Sequence, residues 1–251
     1  MAKIRLDALL VARSLCDDLH RAQALVLAGQ VVVADRRADK PGQLVDSAVP
    51  LRLKDQGGPF VSRGGLKLAA ALDALQVPVA GKRCLDVGAS TGGFTDCLLQ
   101  RGVLAVVASD VGYGLLHDKL RRDPRVVVRE RIHVRDLQLA DLPFVPELLV
   151  ADLSFIGLRA LVPGLAALVA PGGQLLLMVK PQFEAAKREV PHGGVVSDPV
   201  LRQEVVQRVV LAALACGLQV LGQAEAGVAG PMGNREVFLW LGKPIAGLRQ
   251  D

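Results

Sequence analysis

The sequence is poor in aromatic residues, which make up 3% of its 251 positions, and it contains only four cysteines. These lie far apart in apolar segments, at Cys16, Cys84, Cys97 and Cys216. There is no Cys-x-x-Cys pair and no neighbouring histidine cluster. Such spacing disfavours both a zinc site and a disulfide framework, and it is typical of buried, reduced thiols. The sequence therefore predicts no metal centre.

Long uncharged apolar runs are also missing. No segment reaches the roughly 20 apolar residues of a membrane helix. Charges at Lys3, Arg5 and Asp7 occupy the region where a signal peptide has its apolar core. These features favour a cytoplasmic protein without a membrane partner. A net charge of +5 is compatible with a polyanionic partner, although an excess this small is weak evidence.

Two common nucleotide-binding loops are absent. The dinucleotide pattern Gly-x-Gly-x-x-Gly fails because Ser90 stands where its second glycine belongs, and no Gly-Lys-Ser/Thr loop occurs. What is present is Asp-x-Gly-x-x-x-Gly-Gly, starting at Asp86, between a β-prone segment and a helix-forming one. Glycines at such a turn allow a ligand to approach bare backbone N–H groups.

A second acid, Asp110, ends the next predicted strand. A carboxylate there suits the two hydroxyls of a ribose, and Asp86 suits a cationic amino group. Together they predict a pocket for a nucleoside-bearing cofactor. The Asp-x-Gly-x-x-x-Gly-Gly pattern resembles the form seen in S-adenosylmethionine-dependent methyltransferases, which implies S-adenosylmethionine, a cofactor that has no pyrophosphate to be wrapped. The alternative is a turn kept glycine-rich only for helix–strand packing. The predicted cofactor contacts are Asp86, Gly88, Ser90, Thr91, Gly92, Gly93, Phe94, Asp110, Val111 and Asp152.

Residues 1–54 have the pattern of a small α+β unit. Apolar spacing predicts two helices and two strands, at residues 5–14 and 20–28 and at residues 31–33 and 48–53. Residues 55–62 form a predicted linker, whose first half is rich in glycine and proline.

From residue 63 to 251, strand and helix patterns alternate. Helices are predicted at residues 65–75 and 198–216, and strands at residues 83–88, 105–110, 125–130, 147–152, 174–180, 218–224 and 235–241. This alternation is typical of an α/β fold with a doubly wound, Rossmann-like parallel sheet. No helix separates the last two strands, which we therefore expect to pair as a terminal antiparallel hairpin. Seven strands in this arrangement resemble the architecture of S-adenosylmethionine-dependent methyltransferases.

A basic stretch lies beside the predicted cofactor pocket. Residues 119–135 contain seven Lys or Arg against two acids. Such a run is usually a solvated surface. Next to a cofactor pocket, a surface that faces RNA phosphates is equally compatible with it.

Six ordered motifs resemble the TlyA, or hemolysin A, family. They are SRGGLKL (62–68), DVGASTGGFT (86–95), DVGYG (110–114), DLSFI (152–156), VKPQFE (179–184) and GNREVFLWL (233–241). The resemblance implies a ribosomal RNA 2′-O-methyltransferase with an FtsJ-like catalytic domain. Residues 1–54 resemble the RNA-binding module named after ribosomal small-subunit protein four.

The same resemblance implies a catalytic tetrad at Lys67, Asp152, Lys180 and Glu236. Independently of it, Asp152 and Lys180 end predicted parallel strands, whose carboxyl ends form the ligand-binding edge of such sheets. Lys180 follows an apolar run, where a lysine is unusual unless it is paired or functional. Two roles stay open for it, a base or a protonated donor that orients the ribose oxygen. A purely structural salt bridge with Asp152 is the alternative.

The predicted RNA contacts are Arg5, Arg21, Arg63 and Arg135, with Arg13 a weaker candidate. The first two match basic positions of the RNA-binding module and are expected to contact phosphates. Two departures from the family pattern affect nearby positions. His20 replaces a usual serine, so that it either caps its helix poorly or meets phosphate, and residues 132–135 replace the usual Thr-Asn-x-Arg.

The predicted function is therefore methylation of a ribose 2′-hydroxyl in ribosomal RNA, on a cytidine by family resemblance. Ribosomal subunits are the expected partners, and a DNA partner is not expected. A different RNA acceptor is the first alternative. A non-catalytic RNA-binding protein and a membrane-lytic factor are the others, and lysis would require an export signal and an amphipathic or spanning segment.

Overall fold

The computed structural model describes residues 3–16, 18–34, 36–53, 58–228 and 233–245. The N-terminal unit, residues 3–53, contains two helices and five short strands. In chain order they are β1 (Lys3–Arg5), α1 (Leu6–Ala12), α2 (Leu19–Leu27), β2 (Val31–Val33), β3 (Arg36–Arg37), β4 (Leu44–Asp46) and β5 (Leu51–Leu53). β1 pairs antiparallel with β4, and β2 lies between β3 and β5 in a second antiparallel sheet.

The N-terminal unit has its own small core, in which side chains of α1 and α2 such as Leu6, Leu10 and Val26 pack on Val31 of β2. The helices form where apolar residues recur at helical spacing. Asp18 caps α2, because its carboxylate accepts the backbone N–H of Arg21 at 2.7 Å.

The sheet unit, residues 58–245, begins with a helix and then alternates strands and helices. Its elements are α3 (Arg63–Leu75), β6 (Arg83–Val87), α4 (Gly93–Gln100), β7 (Ala105–Asp110), α5 (Asp118–Arg121), β8 (Val126–Glu130), β9 (Leu148–Ala151), α6 (Val162–Ala167), β10 (Gln174–Val179), α7 (Pro181–Glu184), α8 (Pro199–Ala215), β11 (Gln219–Glu225) and β12 (Val237–Gly242). Two single 3₁₀ turns occur at Leu139–Asp141 and Leu158–Ala160. Strand order is β11-β12-β10-β9-β6-β7-β8.

Within the described sheet, β12 is antiparallel to both of its neighbours and the remaining pairs are parallel. Alternate residues of each strand point to opposite faces. Leu148 and Val150 therefore pack with α3 and α4 on one face, whereas Leu149 and Ala151 pack with α6 and α8 on the other. Two apolar layers thus hold the sheet, and its polar side chains collect where the strands end.

The seven-stranded α/β sheet and its terminal hairpin are confirmed, with strand limits within two residues of those predicted. The second N-terminal strand is shorter than predicted, because the chain turns before β5 and the N–H of Val49 bonds to the carbonyl of Asp46 at 3.0 Å. The patterns also missed β1, β3 and β4, each too short for its alternation to stand out. Residue 54 of the predicted N-terminal unit and part of the predicted linker, residues 55–57, lie outside the described residues. Among those described, no helix is long and apolar enough to cross a membrane.

Candidate active site

The turn after β6 lies at the carboxyl edge of the sheet. Its backbone adopts left-handed conformations at Gly88 (φ 82°), Ser90 (φ 50°) and Gly92 (φ 95°). A Cβ at Gly88 would lie 2.6 Å from the backbone oxygen of Asp152, so the turn passes directly against the end of β9. One added at Gly93 would lie 2.2 Å from Ser62 Oγ, before α3. Tight packing therefore accounts for the glycines at positions 88 and 93. Gly88 also lines the cleft described below.

Asp86 is fully buried beneath this turn. Thr95 donates its hydroxyl to Oδ2 at 2.6 Å, whereas Oδ1 has no hydrogen-bond partner among the described residues. Burial raises the pKa of Asp86 to about 7, the Thr95 bond opposes that shift, and nearby Asp152 adds to it. A buried carboxylate oxygen without a donor is unusual, since such groups are ordinarily hydrogen-bonded.

Asp110 connects the turn to the loop after β7. Its Oδ2 accepts the N–H of Ser90 at 2.8 Å, and its Oδ1 accepts the N–H of Gly112 at 2.7 Å. The next residue, Val111, is largely exposed. Two of the predicted cofactor-binding segments are thus joined by one carboxylate.

Lys180 lies just beyond β10 and is almost completely buried. Its Nζ is 2.6 Å from Asp152 Oδ1 and donates to Ser154 Oγ at 2.7 Å. Asp152 follows the neighbouring strand β9, so the two side chains meet because parallel strands end at one edge of the sheet. The salt bridge considered from the sequence is present.

Lys67 and Glu236 form the second buried ion pair, between α3 and the residue that precedes β12. β12 runs antiparallel to β10, and Val237 pairs with Val179. The start of β12 therefore lies at the same edge as the end of β10. The four predicted tetrad residues are thus brought together as two lysine–carboxylate pairs.

A cleft of about 830 Å³ opens over this edge and is bounded by both units of the molecule. Lys67 and Asp152, one residue from each ion pair, line it together with the glycine turn from Gly88 to Phe94. The N-terminal unit contributes Arg37 and Arg52, which the sequence analysis did not select. Nothing in β3 or β5 marks these arginines, because their position depends on how the two units dock.

Phe155 is the second feature that the sequence analysis did not select. Its side chain is 91% exposed at the rim of the cleft, its φ is 67°, and its ring lies 5.3 Å from that of Phe183. Left-handed backbone at a bulky residue is rare and concentrates at functional sites. The sequence feature that could have drawn attention to Phe155 is the scarcity of aromatic residues in this chain.

The predicted RNA contacts lie in four different settings. Arg5 pairs with buried Asp7 at 2.6 Å, and its hydrogen bond holds the pKa of that carboxyl below the usual value. Arg63 lines the cleft at the start of α3, and Arg135 is exposed outside it. The guanidinium of Arg21 faces the loop after β7 and donates to backbone carbonyls there. Their roles toward RNA stay predictions.

Histidines at both departures from the family pattern, His20 and His133, make contacts with nearby residues. His20 does not cap α2, because Asp18 does so, and its ring lies 5.0 Å from that of Tyr113. His133 accepts the backbone N–H of Arg135 at 3.2 Å within a turn.

Much of the basic stretch over residues 119–135 is neutralised locally. Arg121 pairs with Glu130, and Arg125 with Asp123 at 2.8 Å. The guanidinium of Arg131 lies over the Tyr113 ring, 4.1 Å from its centroid. These contacts favour the interpretation of an ordinary helix-and-loop surface.

Comparison with known proteins agrees with this geometry. Residues 60–243 match the FtsJ-like methyltransferase family. The 16S/23S rRNA (cytidine-2′-O)-methyltransferase TlyA of Mycobacterium tuberculosis is 45% identical over 95% of this chain and 90% of its own. This chain belongs to the TlyA family of FtsJ-like methyltransferases. Hemolysin A of Brachyspira hyodysenteriae, 32% identical over 93% of this chain and 97% of its own, is a further relative of this TlyA-family chain.

Solved structures extend the TlyA-family match to three dimensions. A candidate hemolysin from Streptococcus thermophilus, 38% identical, aligns with a TM-score of 0.73 over 97% of this chain and 90% of its own. The alignment covers the N-terminal unit as well as the sheet unit.

Proposed function

We propose that this protein transfers a methyl group from S-adenosylmethionine to the 2′-oxygen of a cytidine ribose in ribosomal RNA. The observation on which this rests most directly is the pair of buried lysine–carboxylate contacts beside the glycine turn. The substrate named for the M. tuberculosis relative supports the choice of ribosomal RNA. Such a substrate implies a cytoplasmic enzyme that meets ribosomal subunits or their RNA.

The residues around the glycine turn fit S-adenosylmethionine. The free Oδ1 of Asp86 is an acceptor of the kind that a cationic amino group requires. Gly88 lines the cleft, where its backbone is the proposed point of close approach, and Asp110 is the proposed acceptor for the ribose hydroxyls. S-Adenosylmethionine supplies a methyl group on a sulfonium centre when bound. No metal takes part in this proposal.

Lys180 acts in this proposal as a donor that orients the ribose oxygen. Its Nζ donates to Ser154 Oγ at 2.7 Å and forms an ion pair with Asp152 at 2.6 Å. An ammonium group has three donors, and in this proposal one of them contacts the ribose 2′-oxygen. Methyl transfer demands in-line approach, so precise placement of that oxygen supplies much of the catalysis. The carbon–oxygen bond would form as the carbon–sulfur bond breaks to leave a neutral thioether, and the hydroxyl proton would pass to solvent. The Lys67–Glu236 pair fixes a second charged contact in the same cleft.

The cleft between the two units is the proposed path for RNA. Arg37, Arg52 and Arg63 line it and supply cations for phosphates. Phe155 offers an exposed ring next to Phe183 at the rim of the cleft, and unpaired bases stack on such rings in RNA recognition. The N-terminal unit is proposed as the module that recognises folded RNA, with Arg5 and Arg135 as additional contacts.

Ribose-methylation mapping of both ribosomal RNAs, from cells with and without this protein, tests the function. We expect one or more cytidines to lose 2′-O-methylation when the protein is absent. Purified protein with radiolabelled cofactor should restore methylation to undermethylated subunits or RNA. If methylation appears only on another RNA, the alternative acceptor is correct, and RNA binding without methyl incorporation would indicate a non-catalytic protein.

A further inference from the structure

Helix α2 of the N-terminal unit contacts the post-β7 loop, residues 111–117, in two places. Arg21 donates through Nη1 to the carbonyl oxygen of Gly114 and, at 2.8 Å, to that of Leu116. One residue earlier, the His20 ring packs against Tyr113. These acceptors are 93 and 95 residues away from Arg21 in sequence, so the contacts join the two units.

The post-β7 loop supports both segments of the proposed cofactor site. At its start, Gly112 donates its N–H to Asp110. At its end, the N–H of His117 bonds to the carbonyl of Thr91 at 3.2 Å. The Leu116 side chain fills the space beside Gly92, where a Cβ would lie 2.8 Å from Leu116 Cδ1. A displacement of this loop would therefore move Asp110 and the glycine turn together.

The loop is held from two sides. From the sheet unit, Glu130 accepts the N–H of Gly114 at 3.0 Å, and Arg131 donates its N–H to Gly112 at 3.1 Å. From the N-terminal unit, Arg21 donates to the carbonyl of the same Gly114. Because a loop loses conformational freedom when it is ordered, contacts made before the cofactor arrives lower the cost of binding it.

We infer that Arg21 is a positioning residue of the cofactor site: it holds the post-β7 loop in the shape that presents Asp110 and the glycine turn. The N-terminal unit is then part of the support of that site. Coupling of this kind is reciprocal, so cofactor binding also strengthens the contact between α2 and the loop. The inference rests on the proposed cofactor and not on the RNA substrate.

Calorimetry with S-adenosylmethionine tests this on the full-length protein. We expect Arg21→Ala to raise the Kd for the cofactor ~5-fold or more, at the lower end of typical coupling between sites, and Arg21→Lys to recover part of the loss. Arg13→Ala is the matched control, because Arg13 also donates to two carbonyls, those of Val49 and Ser47, but within its own unit. Its Kd should stay within about 2-fold of the wild type.

Two further measurements separate positioning from general damage. Without cofactor, hydrogen exchange of residues 111–117 should be faster in Arg21→Ala than in Arg13→Ala. In turnover, KM for the cofactor should rise while kcat at saturating cofactor stays near the wild-type value. If Arg21→Ala does not fold, Arg21→Lys gives the same comparisons with a smaller shift.

A phosphate role for Arg21 gives the opposite result. It leaves the cofactor Kd and the loop exchange unchanged, weakens RNA binding, and lowers the slope of log affinity against log salt by about one. That outcome would overturn the inference. If the wild type binds no cofactor, the proposed function fails with it. If cofactor binding shifts as expected but ribosomal RNA is not methylated, only the substrate assignment is wrong.

Discussion

The two units contribute different kinds of charge to one cleft. The sheet unit contributes lysines that are buried and paired, Lys67 with Glu236 and Lys180 with Asp152. The N-terminal unit contributes Arg37 and Arg52, which are exposed on short strands. Buried pairs have a fixed direction and suit the placement of reacting atoms. Exposed cations attract phosphates and position RNA without fixing single atoms, so chemistry and RNA capture should fail separately.

The largest effect is expected at the Lys180–Asp152 pair. Lys180→Met should lower kcat by about 10³-fold or more, as removal of a preorganised donor at reacting atoms does. The Kd for the cofactor should change little, because Lys180 does not contact the glycine turn. Methylation assays measure the rate, and calorimetry measures the Kd for the cofactor. Lys187→Met, an exposed lysine beyond the same strand, is the control, and similar loss in both variants would contradict the assignment.

The second buried pair should contribute to stability as well. Glu236→Gln leaves Lys67 buried without a counter-charge, so we expect the free energy of unfolding to fall by about 3 kcal/mol. Urea denaturation measures it. Glu225→Gln is the control: it breaks an exposed ion pair in which Glu225 Oε2 lies 4.0 Å from Arg235 Nη1. It should change the free energy of unfolding by no more than about 0.5 kcal/mol. Equal losses of unfolding free energy in the two variants would show that the buried Lys67–Glu236 pair stabilises the fold no more than an exposed pair does.

Exposed arginines of the cleft should affect RNA affinity alone. Arg37→Ala is expected to weaken RNA binding by up to about 10-fold at physiological salt and to reduce the salt slope by about one. Arg36 is the matched control, since adjacent strand residues point to opposite faces and only Arg37 lines the cleft. Filter binding across a salt series distinguishes them. An equal effect from Arg36→Ala would mean that general charge, rather than the cleft, attracts RNA.

The smallest effect concerns a proton on Asp86. Its pKa of about 7 in the folded protein exceeds that of the unfolded chain, so its contribution to stability is complete below about pH 4 and is lost as pH rises through 7. A bound ammonium favours the ionised carboxylate. Cofactor binding at pH 7 should therefore release about half a proton, and affinity should increase from pH 6 to pH 8.

Calorimetry in buffers of different ionisation enthalpy measures that release. Asp86→Asn should abolish both the release and the pH dependence, whereas Asp39→Asn, on an exposed loop, should leave them intact. Proton release that persists in Asp86→Asn would assign the titration to another group.

Local patterns were sufficient to predict the sheet and the residues at its edge. Asp152 and Lys180 end strongly apolar strands, so the common edge of a parallel sheet brings them together. Glu236 was reached only by motif resemblance, because its placement depends on the reversal of β12. Arg37 and Arg52 could not be found this way, since a cleft between two units depends on docking. Arg21 was predicted to contact phosphate because it matches a basic position of the RNA-binding module, and that role stays a prediction; its contacts with the carbonyls of Gly114 and Leu116 could not be predicted from a side-chain pattern.

The reversed strand β12 has a consequence for folding of the enzyme. Until β12 inserts between β10 and β11, the ammonium of Lys67 lacks the carboxylate of Glu236. A slip of one residue in that insertion would present Arg235 or Val237 in place of Glu236. The two lysine–carboxylate pairs are therefore complete only after β12 has inserted in the correct register. Catalytic activity would then depend on the register of that strand.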